Sequence, residues 1–244
     1  MNKLRTGIPG LDDLLGGGIP AGSTTLLSGR SGSGKTIFGM QYLYNGASQH
    51  DEPGILVTLE ARPNDLRAEA LQFGWNLSDL EKSGKLTIID AASSKAGLPT
   101  SEKFALKRGF DMEALAETIY NAIEETKAKR LVLDSISGLT LRFSEPSEVR
   151  RELYRISALL NELNITSLFI GEIDDSSTQS RAGVEQFIAQ GLITLNLREN
   201  DGGLDRDLLI WKMRLTSHSM KKHPYVIDDK GIQVKKTQTK KKNS

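Results

Sequence analysis

Short apolar runs recur along this chain, each separated from the next by a stretch with helical spacing. Ser23-Thr24-Thr25-Leu26-Leu27-Ser28 reads as a buried strand, and so do 54–60, 85–90, 130–134 and 166–170. These runs are continuously apolar rather than alternating, which predicts a sheet covered on both faces. Between them, 36–46 reads as a helix. Pro63 is well placed to open a second, with Leu66, Ala70 and Phe73 on one face. Asp111 is a plausible N-cap for a third, running to about 127 with Leu115, Ile119 and Ile123 aligned. Residues 148–163 form a charged amphipathic fourth. Strands alternating with helices predict an α/β fold: a mostly parallel central sheet in three layers, with helices on both faces.

The pattern changes toward the C-terminus. Segments 191–198 and 207–213 flank Asp201-Gly202-Gly203, a hairpin signal, and 225–228 with 231–234 read as a final small hairpin. Together they predict an antiparallel edge. Residues 1–22 are rich in glycine and read as a cap on the core. Residues 91–110 carry no period, and a loop that long is usually functional or mobile. No internal repeat is present and every candidate boundary is a short loop. The expectation is one domain over 1–234 and a basic, disordered tail over 235–244.

Candidate chemistry centres on Gly29-Arg30-Ser31-Gly32-Ser33-Gly34-Lys35-Thr36, which fits G-x-x-x-x-G-K-[ST]. Glycines allow positive φ and a close backbone approach to phosphate, so successive N–H groups converge on an anion. Lys35 supplies a point charge for β- and γ-phosphates, and the Thr36 hydroxyl suits Mg²⁺. A strand before the loop and a helix after it are the context this motif needs. Asp134, ending an apolar strand, is the expected second acid at the metal. Glu60 closes the second strand, where it could polarise a water for attack on the γ-phosphate. Lys212 and Arg214 alternate along a strand and so share a face, where a triphosphate would relieve their repulsion. Trp75 and Tyr225 read as core, and Arg150, Arg151 and Arg155 as a solvated helix face.

Composition narrows the options. Lys and Arg total 32 against 31 for Asp and Glu, so net charge gives no global case for a nucleic-acid or membrane partner. The last ten residues hold five lysines and no acid, which leaves a docking arm for nucleic acid as a minor reading. Without cysteine there is no disulfide, thiolate nucleophile or cysteine zinc site, and His50, His218 and His223 lack ligand spacing. No apolar run suits a signal peptide or a membrane span, so the expected location is cytoplasmic.

With these residues in view, the sequence resembles the KaiC-like branch of the RecA/RadA ATPases over roughly 4–234. The resemblance rests on an ordered set: Thr6-Gly7-Ile8-Pro9-Gly10-Leu11-Asp12, Gly17-Gly18-Ile19-Pro20, Gln72-Phe73-Gly74-Trp75, Val132-Leu133-Asp134-Ser135, Val149-Arg150-Arg151-Glu152-Leu153, Gly183-Val184-Glu185, and Lys212-Met213-Arg214 through Thr216-Ser217-His218. It implies a RecA-like fold and a homo-oligomer, a hexameric ring with ATP or ADP between neighbouring subunits. Ser33 to Ile37 would hold phosphates and Mg²⁺ from one side, with Gln72 near the adenine. Lys212, Met213 and Arg214 would reach the neighbour's nucleotide, and Thr216, His218, Asp228 and Asp229 its base and ribose. The family usually has two adjacent glutamates where this chain reads Glu60-Ala61, which implies slow hydrolysis. Leu215 replaces a glycine and Gly171-Glu172 a more polar pair, bearing on the interface and on γ-phosphate sensing. Gln186 and Phe187 stand where KaiC's second half carries phosphorylated Ser and Thr, so autophosphorylation is not expected.

The expectation is therefore a Mg-dependent ATPase with a regulatory role toward a protein client that the sequence does not identify. A nucleotide-sensing switch with little turnover is the alternative, and a RadA-like DNA-binding ATPase the second alternative.

Overall fold

The computed structural model describes residues 2–106, 110–140, 143, 145–172 and 189–235. The first strand of the main sheet, β3 (Thr24–Gly29), follows a small antiparallel pair, β1 (Lys3–Leu4) and β2 (Ile19–Pro20), that brackets helix α1 (Leu11–Leu14). Then come α2 (Lys35–Gln49), β4 (Gly54–Thr58), α3 (Pro63–Leu71), α4 (Leu77–Lys82), β5 (Leu86–Asp90), α5 (Ala92–Lys95), β6 (Phe104–Ala105) and α6 (Met112–Thr126). β7 (Arg130–Asp134), α7 (Ser137–Thr140), α8 (Pro146–Glu162) and β8 (Thr166–Glu172) complete the alternating part. The C-terminal strands are β9 (Gly191–Asn200), β10 (Gly203–Met213), β11 (His223–Asp228) and β12 (Gly231–Val234).

These strands form one ten-stranded sheet in the order β12-β11-β10-β9-β3-β8-β7-β4-β5-β6. From β9 to β6 every pairing is parallel, and from β12 to β9 every pairing is antiparallel. The mostly parallel sheet with an antiparallel C-terminal edge is thus the observed architecture. One core layer packs α2, α3, α4 and the N-terminal segment against the sheet through Phe38, Leu43, Leu66, Leu77 and Ile8. The opposite layer packs α6 and α8 through Leu115, Ile119, Ile123, Leu153 and Leu160. Strands buried on both faces explain why their sequences read as unbroken apolar runs.

Local chemistry sets the helix ends. The Asp111 carboxylate accepts a hydrogen bond from the Glu113 N–H at 3.3 Å, capping α6 as expected, and Lys127 at φ +53° ends it in the left-handed region. Pro63 opens α3. The aperiodic 91–110 region holds one turn of helix and a two-residue strand beside β5. Elements this short carry too few residues to show a period, which also hides α4, capped by Asn76.

The least expected feature of the fold is Arg130, the first residue of β7. It is fully buried. Its guanidinium pairs with Glu52, donates to the Tyr42 carbonyl at 3.0 Å and the Arg5 carbonyl at 2.7 Å, and lies 4.5 Å from the Tyr42 ring centroid. It therefore ties the N-terminal segment, α2 and β7 together. A Cβ at Gly46 would collide with the guanidinium, so that glycine makes its room. Breaking a buried pair from one side leaves an uncompensated charge and unmet carbonyls, at a cost of about 3–5 kcal/mol. Arg130→Met is expected to lower Tm by on the order of 10 °C in thermal melting, taking about 2–4 °C per kcal/mol at this size. A shift under a degree would show that the pair is energetically idle.

Candidate functional site

β3 delivers Gly29 at the carboxyl end of the sheet, and α2 begins six residues later. The turn between them closes with the Ser33 N–H donating to the Arg30 carbonyl at 3.2 Å. Gly32 and Gly34 have φ of +79° and +94°, conformations that side chains rarely adopt. Packing adds a second reason for glycine. A Cβ at Gly34 would lie 2.6 Å from Ile227 Cδ1, and one at Gly29 would lie 2.5 Å from the Leu195 carbonyl oxygen. The C-terminal hairpin thus closes against the loop: the Tyr225 hydroxyl donates to the Ser33 carbonyl at 2.7 Å, and Gln41 of α2 exchanges hydrogen bonds with Ile232. No side chain caps the N-terminus of α2, so its first N–H groups are available to an anion.

Lys35 stands at that helix start, largely buried, with its Nζ donating to the Arg30 carbonyl at 2.9 Å. Burial lowers its pKa, and the charges of Glu172, Asp134 and Glu60 oppose that drop. The Thr36 hydroxyl donates to Asp134 Oδ2 at 2.7 Å. Asp134 ends β7, next but one to β3 in the sheet, which is how the distant acid reaches the loop. Burial pushes its carboxyl up to about 6, against the Thr36 hydrogen bond, with Glu60 raising it further and Lys35 lowering it. Burial also raises the Glu69 carboxyl.

These groups surround a cavity of about 570 Å³. Ser31, Gly32, Gly34, Lys35, Thr36, Ile37, Glu60 and Asp134 all line it, as the sequence led one to expect. Glu69, Ser135, Arg206 and Ile227 line it too, and sequence reasoning did not pick them out for that site; Glu172 also lines it, in the pair that the resemblance tied to γ-phosphate sensing. Three buried polar atoms at or beside the cavity, Ser33 Oγ, Ser135 Oγ and Arg206 Nε, make no hydrogen bond. Buried orphans are costly and so point to a ligand rich in acceptors. The oxygens of Thr36 and Asp134 suit a hard cation. Among the described residues no group of three or more His, Cys, Asp or Glu side chains could cage a metal. The residues therefore fit Mg²⁺ that arrives with phosphate and keeps water in its shell.

The remaining candidates lie off this cavity within the chain. Gln72 is exposed just past the end of α3. β10 stops at Met213, with a bulge between Ile210 and Lys212, so Arg214 falls beyond the strand rather than on its face. Arg214 is exposed but near enough to depress the Lys212 pKa, after burial as the larger cause. The Met213 side chain is buried against Gly191 and Thr25, so only its backbone can face a ligand. The Thr216 hydroxyl bonds to Lys3 and to the Leu15 carbonyl. His218 contacts the Ser219 carbonyl at 3.2 Å. Asp228, next to Ile227 of the cavity wall, accepts from the Lys230 N–H and from Gln233, and Asp229 sits exposed in the turn that follows. Trp75 is buried and stacked on Phe73 and Tyr44, as core. Gly183-Val184-Glu185, Gln186 and Phe187 lie outside the described residues, as does the tail beyond 235. Among the described residues no helix is long and apolar enough to cross a membrane.

Comparison with known proteins agrees with this geometry. A family model described as the KaiC ATPase matches residues 4–239. A UPF0273 protein of Thermotoga maritima is 42% identical over 236 residues, 96% of each chain. The circadian clock oscillator protein KaiC of Synechococcus elongatus is 41% identical over 234 residues, which cover 95% of this chain and 44% of that protein. The crystal structure of a KaiC-like protein of Pyrococcus horikoshii superposes with a TM-score of 0.83 at 40% identity, covering 96% of this chain and 98% of that one. On the strength of the loop, the sheet that presents it and these relatives, the chain belongs to the KaiC ATPase family and has its RecA-like fold.

Proposed function

We propose that this protein binds ATP with Mg²⁺ and hydrolyses it, at a site that a neighbouring copy completes in a ring. One observation carries the reading: Lys35 is held at an uncapped helix start, beside a hydroxyl–carboxylate pair, in a cavity that contains unsatisfied polar groups. The loop N–H groups and Lys35 would take the β- and γ-phosphates. Thr36 and Asp134 would hold Mg²⁺, which supplies charge neutralisation at the phosphate oxygens when bound. Glu60, exposed at the cavity mouth, would orient a water whose oxygen attacks the γ-phosphorus while the bond to the bridging oxygen of ADP breaks. Arg206, with its Nε unmatched, would meet the nucleotide from the same chain.

Support for a second copy comes from Lys212 and Arg214. They sit close together off the cavity of their own chain, where burial and then the charge of Arg214 lower the Lys212 pKa. Facing a neighbour's γ-phosphate, they would supply the positive charge that arginine fingers supply elsewhere. A ring, with Thr216, His218, Asp228 and Asp229 toward the neighbour's base and ribose, follows the family resemblance, as does a regulatory role toward a protein client. Ala61 favours a second reading. It stands where the family carries a second glutamate, and its carbonyl is fastened by the Thr58 hydroxyl at 2.5 Å, so Glu60 would act alone and turnover would be slow. In that case the protein serves as a nucleotide-dependent switch.

Two measurements test the proposal. Phosphate release should require Mg²⁺ and should fall to background in Lys35→Ala, a loss of at least about 100-fold; release unchanged by chelation or by this substitution would refute the assignment of the loop. Arg214→Ala should be inactive alone yet keep its melting temperature. Mixed with Lys35→Ala it should regain part of the activity, because some interfaces then join an intact loop to an intact arginine. Normal activity in Arg214→Ala, or no recovery in the mixture, would rule out the shared site.

A further inference from the structure

Sharing no lining residue with the nucleotide cavity is a smaller polar cavity of about 290 Å³, walled by Arg62, Asp65, Asp90, Ser93, Thr100 and Glu102 among others. At its base is Asp90, the last residue of β5, 1% exposed. One carboxylate oxygen accepts the Ser93 N–H at 2.9 Å; the other, Oδ2, is buried and has no hydrogen-bond partner. The other charges of the wall are matched. Arg62 pairs with Asp65 at 3.0 Å, and Glu102 with Arg67 at 2.8 Å. Among the described residues nothing bonds to Asp90 Oδ2, and a buried carboxylate oxygen left in that state is costly.

We propose that this cavity is a binding site for a primary amine with a short apolar tail. A protonated amine offers three donors and a positive charge, which Asp90 Oδ2 and the hydroxyls of Ser93 and Thr100 can accept. The tail has a place as well. A second cavity of about 580 Å³ shares Pro99, Thr100 and Glu102 with the first and adds Leu98 and Leu106. Leu98 is half exposed, an apolar surface such a tail would cover.

Occupancy would be felt at Glu60. Asp90 holds the start of α5 through Ser93, and the end of the same turn of helix carries Lys95, whose Nζ donates to the Gly138 carbonyl at 2.9 Å. A Cβ placed on Gly138 would lie 3.2 Å from Lys95 Nζ and 3.3 Å from Glu60 Cγ, so both side chains meet over that glycine. Arg62 of the cavity wall is two residues beyond Glu60. An amine seated on Asp90 thus touches both segments that hold the water-orienting carboxylate. This link rests on the role proposed above for Glu60, whereas the binding site does not.

Calorimetric titration of the full chain with n-hexylammonium is expected to show one saturable site per chain, with hexanol giving none and methylammonium binding more weakly. Asp90→Asn keeps the shape and the Ser93 hydrogen bond and should weaken hexylammonium at least about tenfold. Leu98→Ser, on an exposed position that folding tolerates, should weaken hexylammonium severalfold and leave methylammonium unchanged. No saturable binding to the natural chain, equal binding of hexanol, or undiminished affinity in Asp90→Asn would overturn the site. Saturating hexylammonium should change kcat for ATP by about fivefold or more in the natural chain and not in Asp90→Asn. Binding with unchanged kcat would overturn the link to Glu60 alone, and absence of turnover altogether would count against the ATPase reading while the titration still decides the site.

Discussion

A lysine kept charged in a mostly buried position is the constraint from which the rest of the site follows. Burial disfavours the Lys35 cation, and the fields of Glu172, Asp134 and Glu60 oppose that drop. Those three carboxylates come from the ends of three different strands or the loops after them, and only the parallel order β3-β8-β7-β4 brings them to one edge. Burial raises Asp134 to about 6 even with the Thr36 hydrogen bond in place, and repulsion from Glu60 adds to the rise. A cavity lined by four acids, the two cations Lys35 and Arg206 and an uncapped helix start is poised for a ligand that brings both phosphate and metal.

The C-terminal hairpins make that edge rigid. β11 and β12 fold back so that Tyr225 holds the Ser33 carbonyl, Ile227 packs on Gly34 and Gly231 fits beneath Trp75 and beside Gln41. The loop is consequently gripped from strand, helix and hairpin at once. At the opposite end of the sheet, Arg130 does comparable work for the N-terminal segment through the Arg5 carbonyl, beside Asn45, which donates to the Gly7 carbonyl at 2.8 Å. Preorganisation of this kind lets binding energy go into charge stabilisation instead of ordering the loop.

Much of the fold was legible in the sequence because it depends on local pattern. Strands buried on both faces give apolar runs, and the phosphate loop is contiguous, so Gly29 to Thr36 could be recognised without knowing what packs around them. Asp134 and Glu60 followed from standing at or just beyond strand ends. Arg206, Glu69 and Ser135 were not assigned to the cavity, because what brings them there is the sheet order and the packing of α3, and neither leaves a mark on the neighbouring residues. Arg130 was hidden for a related reason: an arginine at the head of an apolar run looks like a solvated strand end until Glu52 and Gly46 are seen to surround it. The Lys212–Arg214 alternation was read as one strand face, but the strand ends at Met213, so Arg214 lies just beyond it while staying near enough to lower the Lys212 pKa.

The central claim is that the loop recognises the β- and γ-phosphates rather than the nucleoside. Equilibrium binding of ATP, ADP and AMP in the presence of Mg²⁺ tests it most directly. ATP and ADP are expected to bind one per loop, and AMP, lacking the groups Lys35 and Thr36 are placed to meet, at least about 100-fold more weakly. Equal affinity for all three, or binding of none, would contradict it.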